Sequence, residues 1–108
     1  MVVNLQIKKQ NLDLILAGTK KTEWRELSKY NKDLLLKDRG DGKKDGNKDI
    51  THINFINGYS KNRTETKVEV TRIRVVKFSK NIEIPEDNFK ALEGQFAIEI
   101  SLGNIVNN

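Results

Sequence analysis

Thr64-Glu65-Thr66-Lys67-Val68-Glu69-Val70-Thr71-Arg72-Ile73-Arg74-Val75-Val76-Lys77-Phe78 is the longest strand pattern in the chain. Its apolar residues alternate at Val68 and Val70, jump phase to Ile73 and Val75, and jump again to Val76 and Phe78. Successive side chains on a strand point to opposite faces, so a change of phase inside one strand marks a β-bulge, which bends the strand and increases its twist. A strand of this length that changes phase twice predicts a small closed barrel in preference to a flat sheet.

The segments on either side supply the barrel's other pieces. Val3, Leu5 and Ile7 alternate as on a strand with one buried face. From Asn11 the period changes. Leu12, Ile15 and Leu16 share one helical face, with Asn11 as the expected N-cap and Gly18 at the left-handed position after the last turn. Thr19 to Leu27 reads as a strand leaving that helix. Ser28 to Leu36 fits either a short helix closed by the Leu34-Leu35-Leu36 run or a buried strand. Lys37 to Asp49 has no apolar residue and three glycines, and is expected to be a flexible charged loop or wide hairpin tip. It is not an EF-hand, because Ile50 stands where glycine is required and no Glu follows at the right spacing. Ile53 and Phe55 mark a strand ending at the Asn57-Gly58 turn. Pro85, Glu86 and Asp87 are expected to open a last short helix closed by Gly94, before a final strand through Phe96, Ile98 and Ile100 and a tail over 103–108. The prediction is one α+β domain over 1–108: a small mixed β-barrel with two short helices.

The 108 residues are 36% apolar and 32% charged, enough for a single core and too short for several domains. With no cysteine there is no disulfide scaffold, thiolate nucleophile or Cys-built metal site. The single histidine, His52, leaves a Ser-His-Asp triad or a His-based metal centre little to build from, so no metal or cofactor is expected. No apolar stretch approaches the ~20 residues of a membrane helix and no secretory signal is visible, so a cytoplasmic protein is expected and Asn62-Arg63-Thr64 reads as an exposed turn.

The charge is unevenly placed. The chain holds 20 Lys and Arg against 15 Asp and Glu, a net +5, and the stretch from Lys61 to Lys80 alone accounts for that excess. Its basic residues include Lys61, Arg63, Lys67, Arg72 and Arg74. Such a stripe is the electrostatic footprint of phosphate contact, and equally that of an edge-protecting solvated face. Tyr59, after a turn glycine and beside Lys61 and Arg63, is the better candidate for stacking on a base, whereas Trp24 suits core packing.

The pattern with the most chemical content is Gly18-Thr19-Lys20-Lys21-Thr22-Glu23-Trp24-Arg25, a G-x-K-x-x-E-x-R spacing at the helix-to-strand junction. On an extended segment Glu23 and Arg25 point to one face. Lys20 lies toward the helix end, so an ammonium, a carboxylate and a guanidinium can converge on one cleft. That set suits phosphate binding or acid-base work, and equally a surface ion-pair ladder.

The run Leu14 to Arg25, L-I-L-A-G-T-K-K-T-E-W-R, resembles the opening of ASCH domains, the PUA-like group named after activating signal cointegrator homology, whose signature has that spacing. Ile53-Asn54-Phe55-Ile56-Asn57-Gly58-Tyr59 followed by Val68-Glu69-Val70 is similar to the N-G-Y hairpin of small bacterial and phage ASCH proteins. The resemblance spans roughly Val3 to Phe78, with a compatible last strand. It implies a PUA-like barrel whose cleft beside the first helix is lined by Lys20, Glu23 and Arg25, with RNA as the ligand class. Family members that deacetylate N4-acetylcytidine pair a lysine with a nucleophilic threonine. The lysine maps to Lys20 but the threonine falls at Glu23, and a carboxylate cannot replace an attacking alkoxide. Thr22, next to it, faces the other side.

The first expectation is therefore an RNA- or nucleotide-binding module in which Lys20, Lys21, Arg25, Tyr59, Lys61, Arg63, Lys67, Arg72 and Arg74 contact the ligand. The alternative is a metal-independent hydrolase of RNA or a modified nucleoside, ribonuclease- or amidohydrolase-like, with Lys20, Glu23 and Arg25 catalytic. A protein-interaction adaptor using the basic face is a third.

Overall fold

A computed structural model describes residues 1–38, 44–47, 49–59 and 61–106. Five strands form the main sheet: β1 (Val2–Gln6), β2 (Thr22–Glu26), β5 (His52–Asn57), β6 (Thr64–Lys77) and β9 (Phe96–Val106), in the order β1-β5-β6-β9-β2. The β1–β5 pair is parallel and the others are antiparallel. Helices α1 (Lys9–Leu16) and α2 (Lys29–Leu35) join these strands to each other and to a hairpin of β3 (Leu36–Asp38) and β4 (Lys44–Asn47). A second hairpin, β7 (Ile82–Ile84) and β8 (Phe89–Ala91), brackets a single 3-10 turn at Pro85–Asp87. No helix of the described residues is long and apolar enough to cross a membrane.

The sheet curls but does not close. β1 and β2 are its two edges, so the architecture is α+β with a half-barrel instead of the complete barrel the bent strand predicts. The bend itself is present. The β6–β9 register shifts between Val68 and Val70 and again between Val70 and Arg72, where the first phase jump lies. The second jump is no bulge, because pairing runs on in register from Arg72 to Lys77. Val76 is apolar because the outer face of the sheet is also covered there: with Trp24, Ile82 and Phe89 it packs on a small cluster of Phe78, Ala91 and Ala97. The main core lies on the concave face, where Val3, Leu5, Ile53, Phe55, Val68, Ile73, Ile98 and Ile100 meet Leu12 and Ile15 of α1 and Leu35 of α2.

Four boundaries differ from the sequence reading, each for a local reason. Helix α1 starts at Lys9 after Lys8, which supplies no capping side chain, so Asn11 lies in the first turn and is not the cap. Ser28 does cap α2, its hydroxyl accepting from the Asn31 amide at 3.1 Å, and the Leu34-Leu35-Leu36 run closes that helix and begins β3. The expected helix from Pro85 to Gly94 stops after one turn, because Asn88 turns left-handed (φ 52°) and Phe89 and Ala91 then pair with Ile84 and Ile82. The final strand continues to Val106, its end pairing with Lys67 and Val68, so 103–106 is sheet and not tail. Of the expected loop over 37–49, β3 and β4 form paired hairpin arms, and 39–43 and 48 lie outside the described residues.

The exit of α1 sets the position of the signature run. Gly18 has φ 79°, the Thr19 amide donates to the Leu14 carbonyl and the Gly18 amide to the Ile15 carbonyl, each at 3.0 Å. This is a Schellman closure, and the chain leaves it so that Lys20 reaches the Asp87 carbonyl. Phe55 is fully buried in the concave core, whereas Leu16 is exposed at the end of α1. Phe55→Ala is expected to lower the unfolding free energy in urea by about 3–5 kcal/mol, and Leu16→Ala by less than about 1 kcal/mol. Equal costs would contradict this placement of the core.

Candidate nucleotide-binding cleft

The two unpaired sheet edges face each other across one end of the half-barrel, and a cleft of about 590 Å³ opens there. Glu23 and Arg25 occupy the face of β2 whose β9 partners are Ile100 and Ile98, so both charged side chains stand on the core side of the sheet. Glu23 is buried, its side chain 5% exposed. Arg25 clasps it twice: Nη2 and Nε donate to Glu23 Oε2 at 2.7 and 3.0 Å. The same Nη2 donates at 2.7 Å to the main-chain carbonyl of Gln6 on β1, joining the sheet's edges where no strand does.

Lys20 approaches Glu23 from the other side. Its side chain is 2% exposed, with Nζ 3.2 Å from Glu23 Oε1 and donating at 2.6 Å to the main-chain carbonyl of Asp87. The three signature residues thus converge, as their spacing predicts. They do not line the cleft equally: Glu23 and Arg25 face it, and Lys20 is sealed beneath the Pro85–Asp87 turn. A buried carboxylate needs compensating charge, and two cations flanking one carboxylate leave positive charge on the half-buried Arg25, on the cleft side.

Asp87 ties this cluster to the outer aromatic group. Its Oδ2 accepts from the Trp24 indole Nε1 at 3.1 Å, and the Trp24 ring stacks on Phe89 with centroids 4.5 Å apart and planes 11° from parallel. Trp24 is committed to packing, as expected, while one side of it still borders the cleft.

Five side-chain carboxamides line the cleft: Gln6, Gln10, Asn11, Asn57 and Asn88. Asn57 Nδ2 donates to the Ile7 carbonyl and Asn88 Nδ2 to Asn11 Oδ1, both at 2.9 Å. The sequence reading passed over these residues as binding groups. Asn11 reads as a cap and Asn57 as a turn residue, and nothing near Asn88 signals that a short hairpin carries it to α1. Tyr59, 89% exposed, stands at the rim with Gly58, whose open side faces the backbone of Arg63.

The other predicted contacts are dispersed. Lys61 and Arg63 are exposed on the loop beyond Tyr59, with Arg63 Nε 3.5 Å from Glu65. Lys21 is exposed near the end of α1, outside the cleft. Lys67, Arg72 and Arg74 lie on the opposite, convex face: Lys67 pairs with Asn54 on β5, and Arg72 and Arg74 stand opposite Ser101 and Glu99 on β9. Glu99 Oε1 accepts from Arg74 Nε at 2.6 Å and lies 3.5 Å from Arg72 Nη2. This hydrogen bond, with the attraction between the charges, raises the Arg74 pKa above its ordinary value.

Comparison of the chain with models of known protein families, with curated proteins and with solved structures returns no match.

Lys20→Met removes a buried cation while leaving the Glu23 carboxylate and the Asp87 carbonyl in place, and is expected to cost about 3–5 kcal/mol in urea unfolding. Adding Glu23→Gln, which can still accept from Arg25, should recover about half of that loss. A Lys20→Met cost below about 1 kcal/mol would contradict a structural role for this ammonium.

Proposed function

We propose that this chain is a small ASCH-type, PUA-like module that binds RNA or a nucleotide in the cleft between β1, β2 and the start of α1. The observation that carries the reading is the composition of that cleft: one guanidinium set on the buried Glu23 carboxylate, five carboxamides and an exposed tyrosine at the rim. Carboxamides supply donors and acceptors for the edge of an unpaired base, an exposed aromatic ring supplies a stacking surface, and Arg and Lys supply phosphate contacts. Lys8 on the cleft wall, with Lys61 and Arg63 on the neighbouring loop, gives the backbone of a bound strand a cationic path.

The arrangement favours binding over hydrolysis. A general base must reach the proton it abstracts, and Lys20 is turned away from the cleft with its ammonium on Glu23 and the Asp87 carbonyl. Both Glu23 oxygens are likewise held by cations. Arg72 and Arg74, on the other face and bound to Glu99, are left out of the proposed contact surface.

The test is fluorescence anisotropy of a labelled single-stranded oligoribonucleotide and its DNA counterpart at about 50 and 200 mM salt. Wild type, Tyr59→Ala, Arg74→Ala and Lys20→Arg are compared, and the recovered RNA is checked by mass spectrometry. Affinity for RNA should fall with salt, Tyr59→Ala should weaken it about 5- to 100-fold, and Arg74→Ala should change it less than about twofold. The RNA should be recovered unchanged. No binding at the lower salt would overturn the reading, and a Lys20-dependent product would replace it with the hydrolase.

A further inference from the structure

Asn88 is the only non-glycine residue with positive φ among the described residues, and it is also the point where the β7–β8 hairpin meets helix α1. Backbone held in a sparsely populated region persists where the surroundings over-determine it. Here three bonds do so. Its own amide donates to the Pro85 carbonyl at 3.0 Å, and the preceding residue is anchored through its side chain by Trp24 and through its carbonyl by Lys20. The buried Lys20 thereby fixes the turn that presents Asn88, although it does not touch the cleft itself.

The Asn88 side-chain amide donates one N–H to the Asn11 carbonyl oxygen at 2.9 Å on the exposed side of the cleft. Each carboxamide has two N–H donors and one acceptor oxygen, so one bond between them leaves an NH₂ group on Asn11 and the carbonyl oxygen of Asn88 available. No other described protein group bonds them. Turning both amides over exchanges the two roles but leaves the same set, one donor group and one acceptor on two bonded residues of the cleft wall. Every nucleobase carries an acceptor next to a donor, fixed in one plane, on its Watson–Crick edge, whereas the ribose 2′-hydroxyl is a single rotating group that donates and accepts.

We infer that the Asn11–Asn88 amide pair is a base-reading element: it receives the Watson–Crick edge of one unpaired base, with Lys20 as the positioning residue that holds Asn88 in place through the Asp87 carbonyl. The inference rests on the nucleotide-binding reading above and adds where the base's edge is directed.

The experiment compares unstructured oligoribonucleotides with one of equal length lacking the bases, by anisotropy, against wild type, Asn88→Gly and Asn11→Ala. Glycine adopts the same positive φ, and alanine is favourable within a helix, so both variants should keep the wild-type melting temperature. Wild type should bind the base-bearing strands at least about 50-fold more tightly than the abasic one, which loses the Tyr59 stacking as well as the edge contact. Each variant should lose about tenfold for the former only, with an unchanged salt slope, as expected for one or two neutral hydrogen bonds. Lys20→Arg, which keeps the charge but not the reach, should lower the base preference with the same salt slope. Variants that bind base-bearing RNA within twofold of wild type, or wild type that binds abasic RNA equally well, would overturn the inference while leaving RNA binding intact. Failure of wild type to bind any RNA would overturn the underlying reading as well.

Discussion

The Glu23 carboxylate, buried on the core side of β2 between Lys20 and Arg25, is the constraint around which this small fold is arranged. Each cation does a second job that holds otherwise unconnected parts together. Arg25 reaches the Gln6 carbonyl and ties the two free edges of the sheet, and Lys20 reaches the Asp87 carbonyl and ties down the turn between β7 and β8. Well-packed apolar residues would stabilise the same space at least as well, because desolvating three charges is costly. An apolar cluster would not leave a half-buried guanidinium at the mouth of a cleft between two edges. The geometry of the site and the bridging of the two open sheet edges are thus one feature of the chain.

The signature spacing made this cluster legible in the sequence. Glu23 and Arg25 share a face because strand side chains alternate. Gly18 reverses the chain after α1 because only a residue at ease with positive φ closes a helix in that way. What the spacing did not reveal is depth. Composition and periodicity do not distinguish a lysine aimed into a cleft from one sealed beneath a turn that arrives from 67 residues away. The same distance hides Asp87 and Asn88: Pro-Glu-Asp is a good helix opening taken alone, and it becomes a single turn because the pairing of Phe89 and Ala91 with β7 prevails. Propensity is local, and this outcome is decided by the hairpin.

The basic strand shows the same limit in another form. Counting charge along Lys61 to Lys80 identifies a cationic segment, but a strand in a sheet has two faces and its neighbours also carry charge. The ladder with β9 places Glu99 directly opposite Arg74 and within reach of Arg72, while Lys67 sits on that convex face beside Asn54. Only the loop end of the segment, at Lys61 and Arg63, adjoins the cleft through Gly58 and Tyr59. A one-dimensional charge count therefore merges two arginines that share Glu99 on the outer face with two cations on the loop beyond Tyr59.

The account stands on the claim that ligand recognition belongs to the cleft and not to the convex face. A nitrogen–proton correlation NMR titration with a short single-stranded RNA tests this most directly, because side-chain amides, arginine Nε groups and the lone indole each give their own signals. The account predicts shifts in the side-chain amides of Gln6, Gln10, Asn11, Asn57 and Asn88 and in the Trp24 indole, with Arg72 and Arg74 unmoved. Shifts confined to Arg72, Arg74 and their β9 neighbours, with the cleft amides silent, would contradict it.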